Sequence, residues 1–233
     1  MSIQLETSEF GIIVRYRDRD GAIHSKIVDP KDVADAFASR ATMNTGLMPR
    51  NTRYYIRLAN KEVIALEVPE HLGVISYPLL GKKFSVPIPN LVFFIEFVQI
   101  DANGKLRIIN TKVFASMGPV LSVDSMLYKF PYGNTYANGD VCWGQTADFS
   151  NLTSTVDLSI VPMTLLLSDF SSDLSTGNIT PFTYMKEVTC GESIEINVLT
   201  SEHLLQYLDG EGVFPYKVLR KESSFGAILR DLS

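Results

Sequence analysis

Pro131-Tyr132-Gly133-Asn134-Thr135-Tyr136-Ala137-Asn138-Gly139-Asp140-Val141-Cys142-Trp143-Gly144 is the stretch on which the reading of this chain turns. It is dense in Pro, Gly, Asn and Tyr, the composition of a loop. A long segment without its own secondary structure is usually functional or disordered. This one is too rich in Tyr, Val and Trp to be read as disordered, and loops held on rigid scaffolds often carry functional residues. The ordinary reading of a single cysteine is a small buried apolar residue. Cys190 is read that way; Cys142, in this loop, calls for a separate argument.

Upstream of the loop the pattern is β. Arg53–Leu58 and Val63–Val68 read as two strands around the turn Ala59-Asn60-Lys61. Leu91–Val98 is a strongly apolar strand, Asp101–Gly104 a turn, and Lys105–Ala115 the returning strand, which together predict an antiparallel meander over 53–115. Between these pairs, Pro69–Gly81 reads as irregular, and the prolines of Val86-Pro87-Ile88-Pro89-Asn90 are expected to break a strand ladder. At the N-terminal end, Phe10–Tyr16 and Ala22–Val28 read as a hairpin around Asp18–Gly21. Asp29 is a candidate N-cap with Pro30 at the first helical position, and Val33, Ala34, Phe37 and Ala38 follow at helical spacing. Downstream, Leu158–Phe170 is an apolar helical candidate in which Pro162 falls in the first turn or makes a kink. Ser201–Leu208 reads as a short helix and Val213–Leu219 as a strand.

Composition narrows the function classes. With 233 residues, 45% apolar, the chain suits one large domain or a core with additions. Charges summing to −5 are scattered without a like-charge block, so neither a nucleic-acid tail nor a basic face for phosphate backbones is expected. The N-terminus lacks a secretory pattern, and the apolar runs fall short of the ~20 residues a membrane span needs. The chain is read as cytoplasmic. Two cysteines make no disulfide scaffold. With no CxxC and with His24, His71 and His203 far apart, no zinc site, and no other cofactor, is expected.

The loop resembles the active-site segment of ubiquitin-conjugating enzymes. That segment runs His-Pro-Asn, a variable stretch, then Gly-x-(Ile/Val)-Cys, with the Asn eight residues and the Gly three residues before the Cys. Asn134 stands eight before Cys142, Gly139 three before it, and Val141 precedes it. Tyr136 and Asn138 match residue types common in that loop, while Tyr132 and Gly133 replace the family's His and Pro. The order of elements agrees: a meander, a proline-rich turn, the Cys loop, then a helix and acidic turn resembled by Asp157–Leu174. The chain is most similar to the divergent prokaryotic group called family D. That group includes the B proteins of plasmid cassettes that also encode activating-type enzymes. The resemblance covers roughly residues 50–180.

What the resemblance implies is an α+β, ubiquitin-conjugating-enzyme-like fold: an antiparallel β-meander with flanking helices and an active-site Cys loop. It divides the chain into an N-terminal extension (1–50, β-hairpin plus helix), a core (51–180) and a C-terminal extension (181–233), with packing on the core as one arrangement open to it. It implies a bacterial transferase of ubiquitin-like conjugation, with an expected place in antiphage defence. Cys142 would carry a ubiquitin-like protein as a thioester, received from an activating-type adenylating enzyme and passed to an acceptor protein. Asn134 would stabilise the oxyanion or support the loop. Asp173, thirty-one residues after Cys142, would orient or deprotonate the acceptor, with Asp169 as runner-up. Trp143 would pack, or shield the thioester from water. The group is described as having a histidine after its cysteine, yet here only His203 follows, sixty-one residues on.

No Lys, Arg or His lies within ten residues of Cys142. That suits transthioesterification, where the incoming thioester is already reactive, better than hydrolysis, where a base is expected. Three alternatives stay open at this point: a non-catalytic variant that binds a ubiquitin-like protein, a cysteine hydrolase, and a structural or phage-type β-protein with an inert Cys142.

Overall fold

The structure is a computed structural model. It describes residues 3–8, 11–17, 21–31, 33, 47–58, 60–101, 104–144, 147–171, 174, 177–189 and 192–232. The chain forms two compact units, Met1–Gly46 and Leu47–Ser233. In the first, β1 (Ile3–Ser8), β2 (Gly11–Arg17) and β3 (Ile23–Val28) make an antiparallel sheet with β2 in the middle. Asp29 accepts from Lys31 N through its side chain (2.7 Å) and from Val33 N through its carbonyl (3.2 Å), as a helix start does. The rest of the helix expected after Pro30 lies outside the described residues.

The second unit is built on β4 (Thr52–Arg57), β5 (Glu62–Val68), β8 (Asn90–Gln99), β9 (Leu106–Ser116), β10 (Met126–Lys129) and β13 (Lys221–Ser224). Their order in the sheet is β13-β10-β9-β8-β5-β4, and every pair is antiparallel. Side chains alternate between faces along each strand, and the register aligns the alternation. Ile64 opposes Ile95, Leu66 opposes Phe93, and Phe93 opposes Val113 on one face. Val63, Ala65, Val92, Phe94 and Phe114 share the other.

The first face is covered by α1 (Ile160–Leu166), which buries Val161, Pro162, Leu165 and Leu166, and by α2 (Ser201–Leu208), which buries Leu204, Leu205 and Leu208. The second is covered by α3 (Phe225–Leu232) through Phe225, Ile228, Leu229 and Leu232. β11 (Phe182–Thr189) and β12 (Glu192–Val198) form a separate hairpin. The C-terminal segment therefore supplies an edge strand, α2 on one face of the sheet and α3 on the other. No helix among the described residues is long and apolar enough to cross a membrane.

Several expectations are corrected. Pro69–Gly81 is not irregular: β6 (His71–Tyr77) pairs with β7 (Lys82–Ile88) as a hairpin inserted between β5 and β8, closed by a short 3-10 turn at Pro78–Leu80. Pro87 stands inside β7, opposite Leu72. A proline is tolerated there because β7 is paired along one edge only. The meander over 53–115 is thus interrupted by this hairpin. Val213–Leu219 is not a strand; Val213 is exposed, Phe214 is buried, and Tyr216–Val218 is a 3-10 turn. The helix expected over 158–170 is shorter, because the chain after Leu166 turns so that Phe170 N donates to Ser76 O of β6 (2.9 Å).

Phe225 packs at 5.2 Å from the Phe94 ring and edge-on to Tyr54 at 6.3 Å. Phe225→Ala should lower unfolding stability by about 3–5 kcal/mol, whereas Val213→Ala at the exposed site should change it by under about 0.5 kcal/mol. Urea unfolding of the two variants checks this, and similar midpoints would show that α3 is not a structural cover.

Candidate functional site

After β10 the chain loops through Phe130–Asn138 and returns to β9. Val113 N donates to Gly139 O (3.0 Å) and Val141 N donates to Thr111 O (2.8 Å), so 139–141 lies alongside β9 with Asp140 opposite Lys112. The two-residue alternation continues: Val141 joins the core below the first face, and Asp140 points to the second. Gly139 has φ 84° and lies against Phe114; a Cβ there would sit 2.4 Å from the ring. Only glycine fits that approach.

Cys142 comes one residue after this ladder. Its N–H donates to Asn134 O (2.8 Å), its side chain is half-buried, and the Tyr136 hydroxyl donates to its Sγ at 3.7 Å. That contact, followed by the Coulomb effect of Cys142, burial and Asp140, raises the Tyr136 phenol above its ordinary value. Trp143 packs edge-on against Phe149 at 4.9 Å, at the margin of the core.

Asn134 has φ 54°, a left-handed conformation in which Asn is enriched among non-glycine residues. Its amide nitrogen donates to Asp169 O (2.8 Å) and Ser168 Oγ (3.3 Å), and its amide oxygen accepts from Ser171 N (3.1 Å). The loop is thereby fastened to the turn that follows α1. Gly133, at φ 132°, lies where a Cβ would come 2.7 Å from Ser171 O. Tyr132 is fully buried; its hydroxyl donates to Pro87 O (2.5 Å), and burial pushes the phenol well above its ordinary value. Tyr132 and Gly133 thus join the loop to β7 and to the turn after α1.

The second face carries a polar row across the strands. Lys61 Nζ is 2.6 Å from Glu96 Oε2, Asn110 Nδ2 bridges Glu96 Oε1 (3.2 Å) and Asp140 Oδ1 (2.8 Å), and Lys112 Nζ is 2.7 Å from Asp140 Oδ1. Asn138 Nδ2 holds Asp140 Oδ2 (2.7 Å). Burial works against the Asp140 carboxylate. The hydrogen bonds from Lys112, Asn110 and Asn138 and the charge of Lys112 outweigh it, so Asp140 titrates below the usual aspartate range. Its contribution to holding the loop is present above the ordinary aspartate pKa and is lost as pH falls through the lowered one.

Of the residues singled out in the sequence, Cys142 and Asn134 are brought together. Asp169 is exposed, with its carbonyl on Asn134. Asp173 and Cys190 lie outside the described residues. His203 is exposed on α2; its Nδ1 accepts from Leu199 N (3.4 Å) and its own N–H donates to the cap residue Thr200 (3.2 Å). Chain distance concealed two cations: Lys112 reaches Asp140 and Asn138 O, and Lys129 Nζ donates to Ala137 O (3.1 Å). The available signal was Lys112 within the alternation of β9, facing the same way as Phe114.

Gly139→Ala should cost about 1–3 kcal/mol of stability, since it meets both a positive φ and the Phe114 ring. Urea unfolding reads this directly, and a midpoint equal to that of the native chain would contradict the packing described.

Comparison with known families matches residues 58–209 to the description prokaryotic E2 family D, E2 being the ubiquitin-conjugating class. Neither the comparison with curated proteins nor that with solved structures found a match. The matched segment runs from the end of β4 to the end of α2 and contains the Cys142 loop. The α+β architecture of a mostly antiparallel sheet with a few helices fits it. This chain belongs to prokaryotic E2 family D, an E2-like family whose general function is that of a ubiquitin-like carrier.

Proposed function

We propose that the chain carries a ubiquitin-like protein as a thioester on Cys142, received from an activating-type adenylating enzyme in the cytoplasm and passed to an acceptor protein. The observation that supports it is the placement of a half-buried thiol one residue past a fixed ladder, with Tyr136 within reach of the sulfur. In loading, the Cys142 thiolate attacks the carbonyl carbon of the activating enzyme's thioester. A new C–S bond forms and the other enzyme's cysteine leaves as a thiolate. In discharge, an acceptor amine attacks the same carbonyl, the C–S bond to Cys142 breaks, and the amine's proton passes to a base, for which Asp173 is the candidate. Asn134 acts through the loop: its amide is engaged with Ser168, Asp169 and Ser171. Residues 1–50 and 181–233 are assigned as N- and C-terminal extensions in sequence to the ubiquitin-conjugating-like segment 51–180, and antiphage defence is the setting proposed.

Incubation with the cognate activating enzyme, its ubiquitin-like protein and ATP should give a conjugate that reducing agent removes. Cys142→Ala should abolish it, and Cys142→Ser should leave a more stable ester. Asp173→Ala should load normally and discharge more slowly. Asn134→Ala should slow loading and discharge together, by roughly tenfold for each ~1.4 kcal/mol of lost fastening. Loss of discharge alone, by about 10²–10³, would instead assign Asn134 to the oxyanion. Normal conjugation by Cys142→Ala would overturn the carrier reading in favour of a non-catalytic binding role.

A further inference from the structure

We propose that Lys112, thirty residues before Cys142 on β9, is a positioning residue that sets the reactivity of the thiol by balancing the charge of Asp140. The inference rests on the reading of Cys142 as the acceptor thiol. Asp140 is one fastening point of the loop. Its Oδ1 accepts from Asn110 and Lys112, its Oδ2 accepts from Asn138, its N–H donates to Asn138 Oδ1 (3.1 Å), and its carbonyl accepts from Tyr136 N (2.9 Å). A carboxylate suits this place because it accepts from three donors at once. It also sets a negative charge two residues from a sulfur that must itself become negative to react.

Lys112 offsets that charge. Its side chain is 15% exposed, so water screens the pair less than it would a surface pair. The neighbouring charges are balanced separately: Glu96 holds Lys61, and Lys129 lies 3.7 Å from Glu222. Tyr136 bridges the two residues: its N–H donates to Asp140 O (2.9 Å) and its hydroxyl donates to Cys142 Sγ (3.7 Å). Removing Lys112 therefore exposes the thiol to an uncompensated carboxylate, and removing the Asp140 charge exposes it to an uncompensated ammonium. The two substitutions act in opposite directions on the sulfur, although each weakens the same fastening.

The test is the rate at which iodoacetamide alkylates Cys142 near neutral pH and low salt, in the full chain carrying Cys190→Ala so that one thiol reads out. Lys112→Met should slow alkylation by roughly three- to tenfold, in proportion to the loss of thiolate. Asp140→Asn should speed it by a similar factor. The double variant should return to within about twofold of the parent, Lys112→Arg should react as the parent does, and about 1 M salt should compress the differences. If both single variants slow alkylation, or neither changes it, the pair fastens the loop without tuning the thiol. Circular dichroism checks folding. Should Asp140→Asn unfold, Lys112→Met against Lys112→Arg, with its salt dependence, decides: a rate restored by Arg and a difference lost in salt support the proposal, and either failing overturns it. Alkylation uses no conjugation partner, so a Cys142→Ala chain that still conjugates would sink the carrier reading and leave this measurement standing.

Discussion

Strand β8 has no polar side over most of its length: Leu91, Phe93, Ile95 and Phe97 are buried on one face, and Val92 and Phe94 on the other. An antiparallel sheet commonly leaves one face to water. This one needs a cover on both, and hydrophobic burial at about 25 cal/mol per Å² makes an uncovered face costly. The covers come from later in the chain. α1, α2 and Phe214 close one face, and α3 closes the other, while β13 pairs with β10 at the sheet edge. Residues 221–232 lie beyond the segment matched to the family, yet they are part of the core.

The position of the candidate thiol follows from the same ladder. The segment 139–141 joins β9 as a short extra rung, and alternation sends Val141 inward and Asp140 to the polar row. Cys142 is the first residue released from that pattern. Its backbone is held by Asn134 O while its sulfur stays half-buried beside Tyr136. A fixed backbone with a reachable side chain is what repeated acyl transfer asks of a carrier, because a mobile thiol would have to be ordered again at each encounter.

Much of this was legible in the sequence. Leu91–Val98 and Lys105–Ala115 announce themselves by β-branched and aromatic content, and the spacing of Asn134, Gly139 and Cys142 marks the loop. The β6–β7 hairpin was hidden because Pro87 argues against a strand unless one knows that β7 has a single paired edge. The strand expected at Val213–Leu219 arose from alternation in a segment that only crosses the core, placing Phe214 inside and Val213 outside. The Lys112–Asp140 pair was invisible for a different reason: a long stretch of chain and two turns separate groups that the ladder sets opposite each other. Periodicity within one strand carries no information about which loop will pair with it.

Asn134 shows how far geometry refines a residue that the family resemblance picks out. A carboxamide has two N–H donors and one oxygen with two lone pairs. Here the two donors face Asp169 O and Ser168 Oγ, and the oxygen takes Ser171 N. A donor aimed at an oxyanion must be preorganised and free when charge develops. This amide would first have to give up a bond that ties the loop to the turn after α1, at a cost comparable to the gain. Its backbone, meanwhile, holds Cys142 directly and adopts the left-handed conformation that lets the chain turn back. The residue eight before the thiol is thus tied to the turn after α1 through its side chain and to Cys142 through its backbone, while the Tyr136 hydroxyl points at the sulfur.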